Sequence, residues 1–86
     1  MSKYVTVFKV EAQAELRKIP REQAMAILRK LAELEADPFA FGSTVLVGFQ
    51  GHRRLRVGDY RVIYTVEQGQ LVIVVVHVDH RSTVYD

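Results

Sequence analysis

The residues best suited to chemistry in this chain are arginines, and they collect in its second half. From Gly51 onward every strongly basic residue is arginine, whereas all four lysines lie at or before Lys30. A guanidinium group presents a planar fork of donors that fits phosphate oxygens better than an ammonium does. The distribution favours an anionic partner such as a nucleic acid. On composition alone, a small basic surface without a target explains it equally well.

Three of these arginines flank Gly58-Asp59, a dipeptide typical of a tight hairpin turn. If that turn joins two strands, Arg56 stands opposite Arg61. Because side chains alternate along a strand, one face is predicted to be basic and the other apolar. The basic face carries Arg54, Arg56 and Arg61. The apolar face, which must be the core face, carries Leu55, Val57, Tyr60, Val62 and Tyr64.

Placing Arg56 opposite Arg61 works against folding, because like charges directly opposite each other destabilise a strand pair by a few tenths to ~1 kcal/mol. This cost is easier to understand if an anion normally occupies the site. The alternative is that one arginine pairs with Asp59, Glu67 or Asp79, or extends into water along its own stem. We favour the anion site.

Histidines supply the candidate acid or base. His52, His77 and His80 show no metal-ligand spacing, so no metal site is expected. An imidazole titrates near neutrality and can transfer a proton there. His52 and His80 flank the arginines and are the acid or base candidates. His77 falls on the same side of its strand as Ile73 and Val75 and is predicted to be a hydrogen-bonded core residue.

Hydrophobic periodicity predicts the elements that position these residues. Lys3 to Lys9 alternates as a first strand, and Glu11 to Ile19 and a segment that begins at Pro20 have helical spacing. Phe39 to Gln50 has no clear period and is predicted to be an irregular connection. Three strands follow: Arg53 to Val57, Tyr60 to Val66 and Leu71 to Val78. The order β-α-α-β-β-β predicts an α+β fold, with two N-terminal helices packed on one face of a mainly antiparallel sheet.

The last strand, LVIVVVHV, is apolar on both faces and is therefore predicted to be central in the sheet. A turn at Gln68-Gly69 would put Arg61 opposite Val76, near the end where the chain leaves this strand. The tail is then expected to reach the arginine face, provided that the register does not slip. That tail carries His80, Arg81 and Tyr85.

The length, and the lack of a visible linker or repeat, predict a single domain spanning residues 1–86. The chain has no cysteine, which excludes disulfides and a thiolate zinc site. No signal peptide or bilayer-spanning run is visible, so we expect a cytoplasmic protein without a membrane partner. Near the arginines there is no glycine-rich phosphate loop, serine nucleophile motif or pair of carboxylates. No small-molecule cofactor or ordinary hydrolase triad is therefore expected.

Two stretches carry a family resemblance. GHRRLRVGDYRVIYTV and the downstream LVIVVVHVDHRSTVY resemble the RelE branch of the RelE/ParE superfamily of bacterial toxins. The likeness extends over nearly the whole chain through AELRKIP, ADPF and LVGFQG. It implies a ribosome-dependent endoribonuclease, an mRNA interferase, that cleaves mRNA in the ribosomal decoding site. The implied reaction is attack by the RNA's own 2′-hydroxyl without a metal, and the implied protein partner is a cognate RelB-like antitoxin.

The resemblance also assigns roles to single residues. Arg61 and Arg81 match the family's phosphate-stabilising arginines. Arg54 matches a basic catalytic position that is usually lysine, and Tyr85 matches a C-terminal tyrosine that orients or stacks on the substrate. His52 stands where well-known members carry a lysine implicated as general base, so it is the candidate base, with Arg54 and His80 as alternatives. Further RNA contacts are expected from Arg53, Arg56 and His80.

Two other functions are compatible with this resemblance. A ParE-like toxin shares the fold but inhibits DNA gyrase by binding to it, without cutting RNA. Such a binding module has no need of the full set of basic and tyrosine residues that the nuclease would use. An inactive relic that binds only RNA or an antitoxin is the third alternative.

Overall fold

The computed structural model describes residues 3–39 and 42–80 of the chain. Two helices and a five-stranded sheet account for most of these residues. Their bounds in chain order are β1 Val5–Phe8, α1 Val10–Arg17, α2 Arg21–Leu34, β2 Ser43–Val45, β3 His52–Val57, β4 Tyr60–Glu67 and β5 Val72–His80. Neighbouring strands follow the order β1-β5-β4-β3-β2. The β1–β5 pair is parallel and the other pairs are antiparallel.

The predicted α+β fold is confirmed, with one strand added. The segment Phe39 to Gln50, predicted to be irregular, contains β2 at an edge of the sheet. Three residues are too few to show the period of two that marks a strand in a sequence. β2 therefore owes its conformation to its antiparallel pairing with β3.

The core lies between the helices and one face of the sheet. Helix α1 contributes Ala12, and α2 contributes the stripe of Ile27, Leu31 and Leu34. The sheet contributes the alternate side chains Leu55, Val57, Val62, Tyr64, Ile73, Val75 and Val78. This is the apolar face predicted for the β3–β4 hairpin, with Tyr60 half-buried at its margin. The basic face is consequently the one that the helices leave uncovered.

The register of the β3–β4 hairpin is confirmed residue by residue. Val57 pairs with Tyr60 and Arg56 with Arg61, across a turn in which Gly58 has a φ of 59°. Strand β5 lies between β1 and β4, as its two apolar faces predict. Both helices are too short and too polar to cross a membrane, as far as residues 3–39 and 42–80 are concerned.

The predicted register of β4 against β5 is wrong by three residues. Arg61 lies opposite Asp79 and not opposite Val76. The loop between β4 and β5 runs over residues 68–71, two residues more than the predicted turn, and accounts for two residues of this shift. The third comes from a β-bulge, in which Val76 is the extra residue between the pairs Ile63–His77 and Tyr64–Val75.

Candidate active site

The face of the sheet turned away from the helices is called here the open face. Most of its ionisable side chains lie in two rows that run across the strands. The first row is Arg56, Arg61 and Asp79. The second row is Arg54, Ile63 and His77. Neighbouring strands lie ~4.8 Å apart, and rows two residues apart are separated by ~6.6 Å. The two rows therefore bring several ionisable groups into one small area.

A cavity of about 360 Å³ opens on this face. Its polar wall consists of His52, Arg54, Arg61, His77 and Asp79. Its apolar wall consists of Val45, Leu46, Val47 and Phe49 from the β2–β3 segment, with Ile63 and Val76 from the sheet. Basic groups beside an apolar wall suit a ligand that combines a phosphate with a flat ring, as a nucleotide does.

A hydrogen-bond cluster below the cavity holds the apolar wall in place. The buried Tyr64 hydroxyl donates to the Pro38 carbonyl oxygen at 2.8 Å and also contacts the Ser43 hydroxyl. Arg53 Nε donates to Ser43 Oγ at 2.9 Å, and Arg53 Nη2 donates to the Ser43 carbonyl oxygen at 3.1 Å. The Leu46 amide donates to the His52 carbonyl oxygen at 2.9 Å. These bonds fix both ends of the β2–β3 segment to the sheet.

Arg61 is the one charged residue that is buried within the described parts of the chain, at 9% exposure. Burying a guanidinium group is costly unless an anion compensates its charge. Asp79 lies directly opposite Arg61 on β5 and lines the same cavity. The register thus supports one of the alternatives drawn from the sequence, in which Asp79 neighbours an arginine.

His77 is not the core residue predicted from the sequence. The bulge at Val76 reverses the alternation of β5, so that His77 turns to the open face while Val75 and Val78 both stay in the core. The His77 side chain is 47% exposed, and its Nδ1 lies 3.5 Å from Oε2 of Glu15 on α1. The other oxygen of Glu15, Oε1, accepts a hydrogen bond from the Val78 amide at 2.8 Å.

His52 lines the cavity from the first residue of β3. Its Nδ1 lies 3.0 Å from the Gln50 carbonyl oxygen, so Nδ1 carries the proton when the ring is neutral. The ring contacts Phe49 edge to face, with 6.2 Å between ring centroids. His52 therefore joins the polar wall to the apolar wall of the cavity.

The structure does not bring all the predicted site residues together. Arg53 projects toward the helix side, where its guanidinium lies 5.1 Å from the centre of the Phe39 ring. His80 also lies on the helix side, opposite Tyr60 and in edge-to-face contact with its ring. Arg56 is exposed on the open face, outside the cavity lining. Arg81 and Tyr85 lie outside the described residues.

Part of the site could not be predicted from the sequence. Glu15 lies in helix α1, far from the arginines in sequence, and no local pattern links it to them. His77 was predicted to lie in the core because a bulge leaves no mark in a run of valines. Asp79 was named as a possible partner of an arginine, but its place opposite Arg61 depends on the longer loop and the bulge. Within residues 3–39 and 42–80, no three His, Cys, Asp or Glu side chains gather where they could hold a metal ion.

These features define a small α+β domain whose sheet carries a basic, partly apolar cavity on the face without helices. A family model described as the ParE toxin of type II toxin-antitoxin system, parDE, matches residues 6–85. The chain therefore belongs to this family of type II toxins. Its predicted membership of the RelE/ParE superfamily is confirmed.

Individual relatives carry RelE names. The chain is 26% identical over 83 residues to toxin RelG of Mycobacterium tuberculosis, covering 95% of each protein. Its fold matches the toxin–antitoxin complex RelBE2 from the same organism with a TM-score of 0.81 and 26% identity, covering 92% of this chain and 99% of the other. The archaeal RelE–RelB complex from Pyrococcus horikoshii gives a TM-score of 0.78 and 27% identity, with 98% and 100% covered.

Proposed function

We propose that this toxin is a cytoplasmic mRNA interferase that cleaves mRNA in the ribosomal decoding site, without a metal ion. The single observation that carries the proposal is the common cavity of Arg54, Arg61 and His52 on the open face. A cationic, solvent-accessible cavity with one apolar wall suits an unstacked nucleotide and its phosphate. The size of the cavity, about 360 Å³, is in the range of small-ligand sites.

The proposed reaction is an internal transesterification of RNA. A base takes the proton of the 2′-hydroxyl, the 2′-oxygen bonds to the adjacent phosphorus, and the bond to the 5′-oxygen breaks. The products are a 2′,3′-cyclic phosphate and a 5′-hydroxyl, the latter formed when the leaving oxygen takes a proton. Negative charge grows on the phosphate oxygens during this step, and fixed cationic donors stabilise that charge.

The residue roles follow the resemblance and the cavity together. Arg61 and Arg54 stabilise the phosphate, and Arg56 at the edge of the open face contacts the RNA backbone. Arg81 and Tyr85 complete the set on the resemblance alone, with Arg81 binding phosphate and Tyr85 stacking on the substrate. The family's base position falls on His52, which lines the cavity. Arg53 and His80 are the weakest of these assignments, since both lie on the helix side.

Primer extension on a translated message tests the nuclease. The wild-type toxin is expected to produce cuts at defined positions within codons. Arg61→Ala and Arg54→Ala are expected to lower the cleavage rate by about 100-fold to 1,000-fold, the usual effect of removing one charge-stabilising donor. Arg29→Ala removes the same charge from the exposed surface of α2 and is the matched control. Equal rates for Arg29→Ala and Arg54→Ala would refute the assigned role.

A second function, inhibition of DNA gyrase by binding, is favoured by the description of the matching family model, which names the ParE toxin. Supercoiling assays separate it from the nuclease. Loss of supercoiling without mRNA cuts would make the protein a gyrase inhibitor. Absence of both activities, with antitoxin binding intact, would identify an inactive relic.

The proposed protein partner is a cognate RelB-like antitoxin. Similar toxins are described in complex with RelB proteins. Two properties of this chain suit such a partner: an arginine-bearing open face and an edge strand, β1, with Val5 and Val7 exposed by 59% and 47%. An acidic, amphipathic segment would complement the first, and an extended apolar segment would complement the second.

A further inference from the structure

A second imidazole in the cavity has the surroundings that a general base needs. His77 lines the cavity, and its Nδ1 lies 3.5 Å from the carboxylate of Glu15. A carboxylate only accepts hydrogen bonds, so it favours the tautomer with the proton on Nδ1. Nε2 is then the nitrogen that can take a proton from a bound ligand.

The backbone of β5 orients both His77 and Glu15. Glu15 is fixed from the other side by the Val78 amide, which donates to its Oε1 at 2.8 Å. The bulge at Val76 turns His77 out of the core and into the cavity. β-bulges re-aim side chains in this way beside active sites. A regular strand would have buried His77 among Ile73 and Val75.

His77 is also nearer to Arg61 than His52 is. His77 lies on the strand next to Arg61 and two positions along it, which gives a Cα separation of ~8 Å from strand spacing and rise. His52 pairs with Thr65, four positions from Arg61, which gives ~14 Å. If Arg61 holds the scissile phosphate, the adjacent 2′-hydroxyl lies within a few ångströms of that phosphate. The shorter span favours His77.

We infer that His77, oriented by Glu15, is the base that takes the 2′-hydroxyl proton, which makes it a catalytic residue and Glu15 a positioning residue. This inference rests on the proposed ribonuclease function. Nε2 of neutral His77 accepts the proton while the bond from the 2′-oxygen to phosphorus forms and the bond to the 5′-oxygen breaks. The leaving 5′-oxygen takes a proton from water, and the imidazolium returns its own proton to water after the products leave.

Several charged groups line the cavity around His77. Glu15 approaches from α1, Asp79 shares β5, Arg61 lies on β4, and Arg54 and His52 lie on β3. Because a general base must be neutral, cleavage by the wild type is expected to slow toward acid pH.

The test is the pH profile of single-turnover cleavage on ribosomes programmed with a short synthetic message. His77→Gln is expected to lower the rate by about 100-fold or more, since general base catalysis contributes roughly 100-fold to 10,000-fold. It should also abolish the acid limb of the profile, which is the fall in rate toward low pH. His52→Gln is expected to keep the acid limb. If the wild type fails to cleave, the proposed function itself is wrong. If it cleaves and His77→Gln keeps the wild-type rate and profile, only the inference about His77 is wrong.

Glu15→Gln tests the positioning role in a protein with its backbone contact preserved, because an amide oxygen can still accept from the Val78 amide. The rate is expected to fall about 10-fold, because the imidazole loses the carboxylate that orients it, and the loss of rate at low pH should remain because His77 is still the base. Glu33→Gln, at an exposed carboxylate on α2 paired only with Lys30 among the described residues, is the matched control. A wild-type rate in Glu15→Gln, or an equal loss of rate in Glu33→Gln, would contradict the role of Glu15.

A message with sulfur at the leaving 5′-position distinguishes a base from an acid. A thiolate leaves without taking a proton, so loss of a general acid is rescued by this substrate and loss of a general base is not. His77→Gln is expected to remain slow on it. Rescue to within a few-fold of the wild type would overturn the assignment of His77 as the base.

Discussion

At the scale of single residues, the site combines arginines with a carboxylate that opposes their function. Arg61 is nearly buried, and an isolated guanidinium in that position would cost several kcal/mol. Asp79, opposite on β5, offsets this cost by its charge. The same charge repels a phosphate that approaches Arg61. Stability of the apo site and affinity for an anion are therefore expected to respond to Asp79 in opposite directions.

Replacement of Asp79 tests this conflict. A phosphate bound at Arg61 and the Asp79 carboxylate, taken as two unit charges ~6 Å apart in water, repel each other by ~0.7 kcal/mol. Asp79→Asn removes this repulsion and is expected to tighten RNA binding about threefold or more. The same variant should unfold at a lower temperature than the wild type. Fluorescence anisotropy with a short oligoribonucleotide, methylated at its 2′-hydroxyls to prevent cleavage, measures the dissociation constant.

The control for Asp79→Asn is Glu22→Gln, which changes the net charge equally at an exposed position in the first turn of α2. A general charge effect would tighten binding to the same extent in both variants. Weaker RNA binding in Asp79→Asn would show that Asp79 holds Arg61 in its binding position and does not compete with the ligand.

At the scale of elements, the hairpin is the part of the site that could be predicted, because its register depends on local features. The dipeptide Gly58-Asp59 fixes the turn, and alternation fixes which face is basic. The β4–β5 register depends on a longer loop and on the bulge at Val76, and neither is marked in the sequence. The apolar pattern of β5 fits either register, because five of the residues from Val72 to Val78 are valine. Three-dimensional packing therefore decides where His77 and Asp79 lie.

The turn glycines give a matched pair for testing the hairpin. Gly58 has a φ of 59°, and a Cβ added there would meet no atom within 4 Å, so the cost of Gly58→Ala comes from the backbone alone. This cost is roughly 1–2 kcal/mol for a left-handed residue with a side chain. Gly69 also has space for a Cβ but lacks a left-handed φ. Gly69→Ala should be neutral or stabilising by up to ~1 kcal/mol.

Thermal unfolding with circular dichroism measures both glycine variants. In a domain of this size, each 1 kcal/mol shifts the melting temperature by roughly 4–8 °C. Gly58→Ala is expected to melt lower by at least that amount, and cleavage activity should fall with the loss of the hairpin that aligns Arg54 with Arg61. Similar melting temperatures for the two variants would mean that the hairpin turn does not limit stability.

At the scale of the whole molecule, the two helices cover one face of the sheet and not the other. Among the described residues, the β1 edge, the apolar wall of the cavity and parts of the open face are exposed. Val5, Val10 and Val47 are exposed by 59%, 78% and 91%. A domain of 86 residues buries only about 60–65% of the surface of its unfolded chain, so its stability margin is small. Such a molecule gains stability from a partner that covers these surfaces.

Binding of the proposed antitoxin should therefore raise the melting temperature in a way that depends on its concentration. A ligand that binds only the folded state adds ~2.7 kcal/mol at 100 times its dissociation constant and ~1.4 kcal/mol for each further tenfold. The melting temperature is expected to climb by roughly 4–8 °C for each kcal/mol. Differential scanning calorimetry with increasing amounts of the proposed RelB-like antitoxin measures the slope. If the arginines of the open face contribute to recognition, the rise should shrink at high salt, because screening weakens exposed charges. The antitoxin could instead stabilise the toxin by less than ~1 kcal/mol, and an unrelated acidic peptide could have the same effect. Crowding or general charge would then explain the stabilisation, and the proposed antitoxin would not be the specific partner.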